Sequence, residues 1–340
     1  MLLAIESSCD ETSAAVIHNS VALSNIISSQ YFHSKYGGVV PELASRAHLQ
    51  TISKIISEAL SSAGVSFSDI EALAVTSEPG LIGSLVVGSN FGKGLAIKYN
   101  LPIVPVNHIE GHIFSGFLRD ETPKFPVITL VVSGGHTAIF YVKSYNDYEI
   151  VGLTRDDAAG EAFDKIAKLC NLPYPGGPEI DRLAKSGNCK KYNFPRSMIN
   201  SKDFDFSFSG LKTSVRYFVQ KNFPNGIPDD VIPDIAASVQ AAIVEVLVTK
   251  TINAAKKYKV KTIFIAGGVS ANSSLRYEMK QQAEKNNMIA LAPEMSYCMD
   301  NAAMIGFIAE KKFLENKNKY NALTFTVSSN SLRSSQYKRK

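Results

Sequence analysis

"PVITLVVSGGHTAIFYV", residues 126–142, decides the fold. An apolar run ends in Ser133-Gly134-Gly135, and a second apolar run follows. Short runs rich in Val, Ile, Phe and Tyr on either side of a small polar turn read as a β-hairpin. The same shape opens the chain: "LLAIESSCDETSAAVIH", residues 2–18, joins two apolar strands through Ser, Cys and Asp. One reading is two unrelated hairpins. The other is an internal duplication, in which each half of the chain opens on a strand–turn–strand and the tips face a shared cleft.

Around these hairpins, helical and strand patterns alternate. "PELASRAHLQTISKIISEALSSAG" (41–64) places Leu43, Ala47, Ile52, Ile55, Ile56 and Leu60 at helical spacing and stops at Gly64. "DIEALAVTSEP" (69–79) is a strand running into a turn. "GSLVVGSNFGKGLAIKYN" (83–100) is a helix whose glycines suit close packing on a neighbour. "DIAASVQAAIVEVLVTKTINAAKKY" (234–258) is a long apolar helix, followed by the strand "VKTIFIAGG" (260–268). "DNAAMIGFIAEKKFLE" (300–315) is a late helix with Asp300 as its expected N-cap. Alternation of this kind gives an α/β protein. A chain of 340 residues suits two lobes of about 150 residues each.

Apolar residues make up 45% of the chain and charged residues 20%, enough for a sizeable core. The net charge of +5 permits a polyanionic partner without demanding one. Some of it sits in "SSQYKRK" (334–340), expected to be a frayed tail. Cys9, Cys170, Cys189 and Cys298 form no C-x-x-C pair and read as reduced thiols of a cytoplasmic protein. The start "MLLAIESSCDE" lacks the basic region of a signal peptide. "FPVITLVVSGG", taken as the longest apolar stretch, is far below the ~20 residues of a membrane helix, so no membrane association is expected.

Three turns after strands carry small residues: "ESSCDETS" (6–13), "VVSGGHT" (131–137) and "AGGVSAN" (266–272). Glycine there lets a ligand approach backbone N–H groups, as phosphate cradles require. "GSNFGKG" (88–94) fails as a P-loop, because its spacing is short and Gly94 stands where Ser or Thr is needed. No G-x-G-x-x-G follows a strand, which argues against a dinucleotide site. In "GEAFDKIAKLCNLPYPGGPEIDRLAKSG" (160–187), Asp164 lies on a helix and Asp181 follows a Pro-Gly-Gly turn. Both are candidates for sugar hydroxyls, or are helix-surface charges.

"NHIEGH" (107–112) sets His108 and His112 four apart, on one face of a helical turn. Glu110 is displaced from the H-E-x-x-H position by one residue, about 100° around the helix. It points away from an ion held by the histidines and cannot activate its water. Gly111 weakens a regular helix at this point. A third ligand must come from elsewhere, and His/His/Asp with open positions suits iron or zinc. The alternative is two polar residues at a lobe boundary. His48 is expected on a surface or at a cap, His33 in a loop, and His136 in the 131–137 turn. "FSFSGLKTSVR" (206–216) offers Lys212 and Arg216 beside aromatics, either a nucleic-acid or partner face or an ordinary helix start.

Taken together, "ESSCDETS", "GGVVPELASRAH", "EPGLIGSLVVG", "NHIEGHI", "VSGGHT", "GEAFDK", "PGGPEID", "FSFSGLKTS", "AGGVSAN" and "MDNAAMIG" resemble the TsaD family of tRNA threonylcarbamoyladenosine transferases, once labelled glycoprotein endopeptidases. The resemblance runs from residue 1 to about 315. It implies two duplicated lobes of the actin/Hsp70/sugar-kinase-like type with a nucleotide cleft between them. The expected division is an N-terminal lobe of residues 1–120, rejoined by the helix 300–316, a C-terminal lobe of 121–299, and a tail of 317–340. It implies transfer of threonylcarbamoyl from threonylcarbamoyl-AMP to N6 of adenosine at tRNA position 37, in tRNAs that read codons beginning with A. It implies one divalent metal, iron in the ferrous state favoured and zinc the alternative, on His108, His112 and Asp300. The acyl-adenylate would lie along Val131, Val132, Ser133, Gly134 and Gly135, with Asp164, Gly177, Asp181 and Asn272 around its ribose and adenine. Asp10 or Glu11 would take the proton. The implied partners are tRNA, a smaller TsaB-like paralogue and a TsaE-like P-loop ATPase. An ATP-dependent small-molecule kinase of the same fold, a metalloprotease and a non-catalytic scaffold are the rival readings.

Overall fold

The computed structural model describes residues 1–119 and 123–329; the basic stretch 334–340 lies outside the described residues. By internal contacts the chain forms two compact units. One runs up to residue 122 and resumes at Pro293, and the other runs from Pro123 to Ala292.

In the first unit, β1 (Leu2–Glu6), β2 (Glu11–His18) and β3 (Val21–Ser29) form an antiparallel meander. The register sets Leu2 opposite Ile17 and Glu6 opposite Ser13. β4 (Ala72–Glu78) joins β1 in parallel and β5 (Ile103–Asn107) joins β4 in parallel, so the sheet order is β3-β2-β1-β4-β5. Alternate strand residues face opposite sides. Leu3, Ile5, Val16, Leu73 and Val75 pack with Ile52, Ile55, Ile56 and Leu60 of α1 (Pro41–Ala63).

Helix α1 stops at Gly64 as expected, with φ 68°, because a left-handed residue there lets its N–H reach the carbonyls of Leu60 and Ser61. Its buried stripe opens on Ala44 and His48, whereas Leu43 and Ala47 are half-buried. His48 is therefore not a surface or capping residue. It can be buried because both ring nitrogens are engaged, Nδ1 with Thr12 Oγ1 at 2.8 Å and Nε2 with the Cys9 carbonyl at 2.9 Å. His33 is buried too, its Nε2 paired with Gln30 Oε1 at 2.9 Å. In α2 (Ile82–Tyr99) two of the three glycines of "GSNFGKG" serve packing: a Cβ on Gly88 would lie 2.1 Å from Ser7 Oγ, and one on Gly92 2.4 Å from Val75 Cγ1.

The last strand of this sheet runs into α3 (His108–Ser115). The second unit repeats the sheet strand for strand. β6 (Val127–Val132), β7 (Thr137–Val142) and β8 (Tyr148–Leu153) form the meander; β9 (Thr262–Ala266) joins β6 in parallel and β10 (Ile289–Leu291) joins β9. The order β10-β9-β6-β7-β8 is the order of the first sheet, so the paired hairpins are equivalent elements of a duplicated fold. Its helices are α4 (Ala159–Leu169), α5 (Gly176–Ala184), α6 (Ser209–Asn222), α7 (Ile232–Lys257) and α8 (Ser273–Lys285). By length and composition α7 could cross a membrane, which corrects the expectation that no stretch reaches that length. Its apolar window is 83% buried within the protein, as the central core helix of this unit.

Helix α9 (Ala302–Glu315) lies on the sheet of the first unit, against the residues that alternate with those facing α1. Gly306 permits the close approach, since a Cβ there would stand 2.4 Å from Ile17 Cγ1 and 3.0 Å from Ala4 Cβ.

Candidate metal centre

The site is built where β5 turns into α3. Asn107 ends the strand, and its Oδ1 accepts hydrogen bonds from the N–H groups of Ile109 (2.8 Å) and Glu110 (3.4 Å). This N-cap starts the helix at His108 and puts His108 and His112 one turn apart on the same face. Asn107 escaped the sequence reading, although an Asn before a helical pattern is a cap signal. Gly111, read as a weak point, is a contact: a Cβ would lie 2.8 Å from Ile305 Cδ1 and 3.0 Å from Met304 Cγ of α9. Its small size seats α3 on α9.

That seating brings in Asp300. Its Oδ1 is 3.1 Å from His112 Nε2 and 3.4 Å from His108 Nε2. One ligand atom from each of the three residues lies within 4.8 Å of the others. Asp300 is not the N-cap of α9. Asn301 is, its Oδ1 accepting from Met304 N at 3.0 Å while its Nδ2 donates to the carbonyls of Met299 (2.7 Å) and Tyr297 (3.3 Å). The amide both caps the helix and ties down the segment before it, which a carboxylate cannot do because it has no donor. Asp300 is thereby left to face the histidines.

Glu6, at the end of β1, was missed by sequence reading and is fully buried behind His108. Its Oε2 lies 3.0 Å from His108 Nδ1 and accepts from Thr76 Oγ1 at 2.6 Å, and its Oε1 accepts from Ser8 N at 2.5 Å. Ser8 Oγ stands 3.1 Å from the same Nδ1. A carboxylate on one imidazole nitrogen fixes the tautomer that leaves the other free to ligate. His112 Nδ1 is buried with no hydrogen-bond partner among the described residues, so that ring engages only on its Nε2 side. The donors fit a divalent transition ion: two imidazole nitrogens and a carboxylate oxygen converge, and one ring is oriented from behind.

Electrostatics agree. Burial works to raise the Asp300 carboxyl, yet the His108 and His112 imidazoles outweigh it and hold it well below the usual carboxylate range. Burial works to lower His108, yet the Asp300 and Glu6 carboxylates hold it well above the usual histidine value. Burial, with His108 beside it, keeps His112 low and neutral. Glu110 points away from this group and pairs with Lys312 of α9, as the displaced motif predicts. The turn after β1 carries Asp10, and Glu11 opens β2. Burial, then the carboxylates of Asp300 and Asp10, push Glu11 well above the usual range, favouring its neutral form.

In the second unit, Val131 and Val132 are buried at the end of β6, and Ser133-Gly134-Gly135 form the turn to β7. A Cβ on Gly134 or Gly135 would meet nothing within 4 Å, so the turn is open. Two glycines crowd its base. A Cβ on Gly160 would lie 2.5 Å from the Ser133 carbonyl oxygen, and one on Gly267, with φ +85°, 2.5 Å from that of Val132. Ser133 Oγ accepts from His136 N at 3.2 Å. Asp164 Oδ1 accepts from Gly176 N at 2.7 Å, closing the start of α5 across from α4. Burial lifts its carboxyl above the ordinary value. Gly177, next in α5, has room around it. Asp181 accepts from Ser273 Oγ at 2.7 Å and Ser273 N at 3.3 Å. Asn272 caps α8 through Leu275 N (2.9 Å) and donates to Gln240 Oε1 (2.7 Å). The expected substrate residues of this unit thus form one chain of contacts around the first turns of α4, α5 and α8. Lys212 and Arg216 lie in α6, apart from that chain.

Helices and sheets in this arrangement match solved structures at low identity. The activator of 2-hydroxyisocaproyl-CoA dehydratase from Clostridium difficile aligns over 94% of this chain and 97% of its own, with TM-score 0.54 and 12% identity. HypF of T. kodakarensis aligns over 94% of this chain and 49% of its own, with TM-score 0.61 and 14% identity. These likenesses carry the actin/Hsp70/sugar-kinase-like fold. Sequence likeness goes further. Residues 21–307 match the family model described as tRNA N6-adenosine threonylcarbamoyltransferase. Proteins of that name from Thermosipho africanus and Chlorobium chlorochromatii are 49% and 51% identical over 314 and 324 residues. Each alignment spans 92% of this chain, and 94% and 92% of the respective relative. The chain belongs to the tRNA N6-adenosine threonylcarbamoyltransferase family.

Proposed function

We propose that this chain transfers threonylcarbamoyl from threonylcarbamoyl-AMP to N6 of the adenosine at tRNA position 37, in tRNAs that read codons beginning with A. The convergence of His108, His112 and Asp300, in a chain of this family, carries the reading. Those three residues would hold one divalent ion, ferrous iron in preference to zinc. When bound, the ion supplies a Lewis acid for an oxygen of the donor.

The rest of the work falls to the chain. The turn Ser133-Gly134-Gly135 binds the phosphate through the amides of Gly134 and Gly135, the Ser133 N–H being held by the His136 carbonyl at 2.8 Å, and steadies the charge that leaves with AMP. Val131 and Val132 fix that turn to the sheet. Asp164, Gly177, Asp181 and Asn272 surround the ribose and adenine of the donor, and their backbone partners set them in advance of binding. The N6 lone pair attacks the carbamoyl carbon. An N–C bond forms, the C–O bond to phosphate breaks, and its electron pair leaves with AMP. The N6 proton passes to Asp10 or Glu11, the adjacent carboxyls that follow β1. The functional division is a metal-bearing N-terminal lobe, resumed from Pro293 through the segment 300–316, a donor-binding lobe up to Ala292, and a tail from 317. Partners are a TsaB-like paralogue and a TsaE-like P-loop ATPase, and the setting is the cytoplasm.

A peptidase would need a base beside the histidines, and Glu110 is turned away to Lys312. Reconstitution tests the reading: tRNA, threonine, bicarbonate, ATP, the enzyme that makes threonylcarbamoyl-AMP, and both partner subunits, followed by nucleoside analysis. Wild type should yield modified adenosine and His112→Ala should lose it. Equal yields would sink the proposal. Phosphorylated product without tRNA would favour a kinase. Metal analysis of anaerobically purified protein separates iron from zinc.

A further inference from the structure

Within the first unit, a depression of about 490 Å³ opens between the end of β3 and the segment before Asp300. Ser28, Ser29, Tyr31, Met295, Ser296 and Met299 line it. Tyr31 is 83% exposed, Met295 61% and Met299 49%. Three large apolar side chains left in solvent around one hollow mark a binding surface rather than scattered exposure.

The hollow adjoins the candidate chemistry on two sides. Ser29 is the cross-strand partner of Glu11, and Gln30 N donates to the Asp10 carbonyl at 3.2 Å. On the other side Met299 precedes Asp300, and Asn301 Nδ2 holds the Met299 carbonyl at 2.7 Å. The loop bearing Tyr31 is fixed from below: buried His33 bonds Gln30 Oε1 through Nε2 and accepts from Val40 N at 3.3 Å through Nδ1. The volume is within the range of small-ligand sites. An exposed ring, two polarizable thioethers and serine hydroxyls are what a flat heteroaromatic base with polar edges requires.

We infer that this hollow receives the purine of the tRNA adenosine to be modified, stacked on Tyr31, flanked by Met295 and Met299, and edged by Ser28, Ser29 and Ser296. The inference rests on the reading of the chain as a tRNA adenosine transferase and assigns its acceptor subsite. Specificity for an unpaired base follows, since stacking on an exposed ring needs a base free of its own stack.

The test uses the metal-loaded protein with its partner subunits. An anticodon stem-loop carrying 2-aminopurine at the target position should be quenched by wild type and by Tyr31→Phe, and not by Tyr31→Ala. In the reconstituted reaction, Tyr31→Ala should lower kcat/KM for tRNA about 5- to 150-fold, the worth of one base–aromatic stack. Tyr31→Phe should restore it, and KM for threonylcarbamoyl-AMP and metal content should stay at wild-type values. Tyr31 is exposed, so the variant leaves the core intact. If Tyr31→Ala modifies tRNA within twofold of wild type, or if the loss falls on the KM for threonylcarbamoyl-AMP, the subsite is wrong while the transferase reading stands. If wild type itself modifies no tRNA, the transferase reading and the subsite fall together.

Discussion

Replacing Glu6 by Gln should disable the metal centre without touching a ligand. The reason lies in which groups can turn. Glu6 Oε1 accepts from the backbone N–H of Ser8 at 2.5 Å, and that donor is fixed. A glutamine has one oxygen, so Ser8 claims it, and the NH2 falls at the Oε2 position. There it faces Thr76 Oγ1 and His108 Nδ1, which lie 2.6 Å and 3.0 Å from Oε2 in the wild type. The threonine hydroxyl rotates and accepts. His108 keeps one other acceptor in reach, Ser8 Oγ at 3.1 Å, but the incoming NH2 presents its hydrogens to the same Nδ1 and favours the acceptor form, which moves the ring proton to Nε2. Nε2 is the atom that faces Asp300, and a protonated nitrogen has no lone pair for an ion. Loss of a partner of this kind typically costs 10- to 100-fold in metal affinity, about 1.4–2.7 kcal/mol. Because the change reverses the tautomer rather than loosening it, the upper end is expected here. Competition against a chelating dye measures it. Thr76→Val, which keeps the carboxylate on His108, should cost much less. Glu6→Gln protein that holds metal within twofold of wild type would refute the argument.

Other substitutions separate the two units. Gly160→Ala puts a methyl 2.5 Å from the Ser133 carbonyl oxygen and 2.8 Å from Gly134 N, both backbone atoms, so the 133–135 turn must shift. Binding of threonylcarbamoyl-AMP, followed by calorimetry, should weaken at least tenfold with metal affinity unchanged; unchanged donor binding removes the turn from the site. Buried Lys250 donates to Ser201 Oγ at 2.5 Å and to the Asp203 carbonyl at 2.8 Å. Lys250→Met strands those acceptors and should lower stability in denaturant by about 1–3 kcal/mol, and an unaltered midpoint would show that solvent replaces the ammonium.

The duplicated hairpins were legible because both strands of each are continuous apolar runs, and the histidine pair because its spacing is a local property of a helix. What escaped the residues' own pattern were polar groups whose meaning depends on a distant partner; Asp300 was reached only through the family resemblance. Glu6 looks like the charge that ends a strand; Thr76 and His108, which make it buried and acceptor-loaded, are 70 and 102 residues away. His48 looked like a surface residue until Thr12 and the Cys9 carbonyl supplied both its bonds. Asp300 and Asn301 are equally good caps by residue type. The choice falls to Asn301 because its amide also donates to two carbonyls, a difference set by tertiary structure.

The same partners set the charge that a cation would meet at this centre. Two low-lying carboxylates, Glu6 and Asp300, flank His108, and the proton held on that ring offsets part of their charge. Burial first, then histidine contacts, act in opposite directions on each carboxylate, and the contacts win. A divalent ion held by His108, His112 and Asp300 would offset that negative charge in place of the ring proton. An uncharged ligand offers no such exchange. The charge count would favour a cation over a neutral ligand, and the two imidazoles would favour a nitrogen-preferring transition ion over magnesium or calcium.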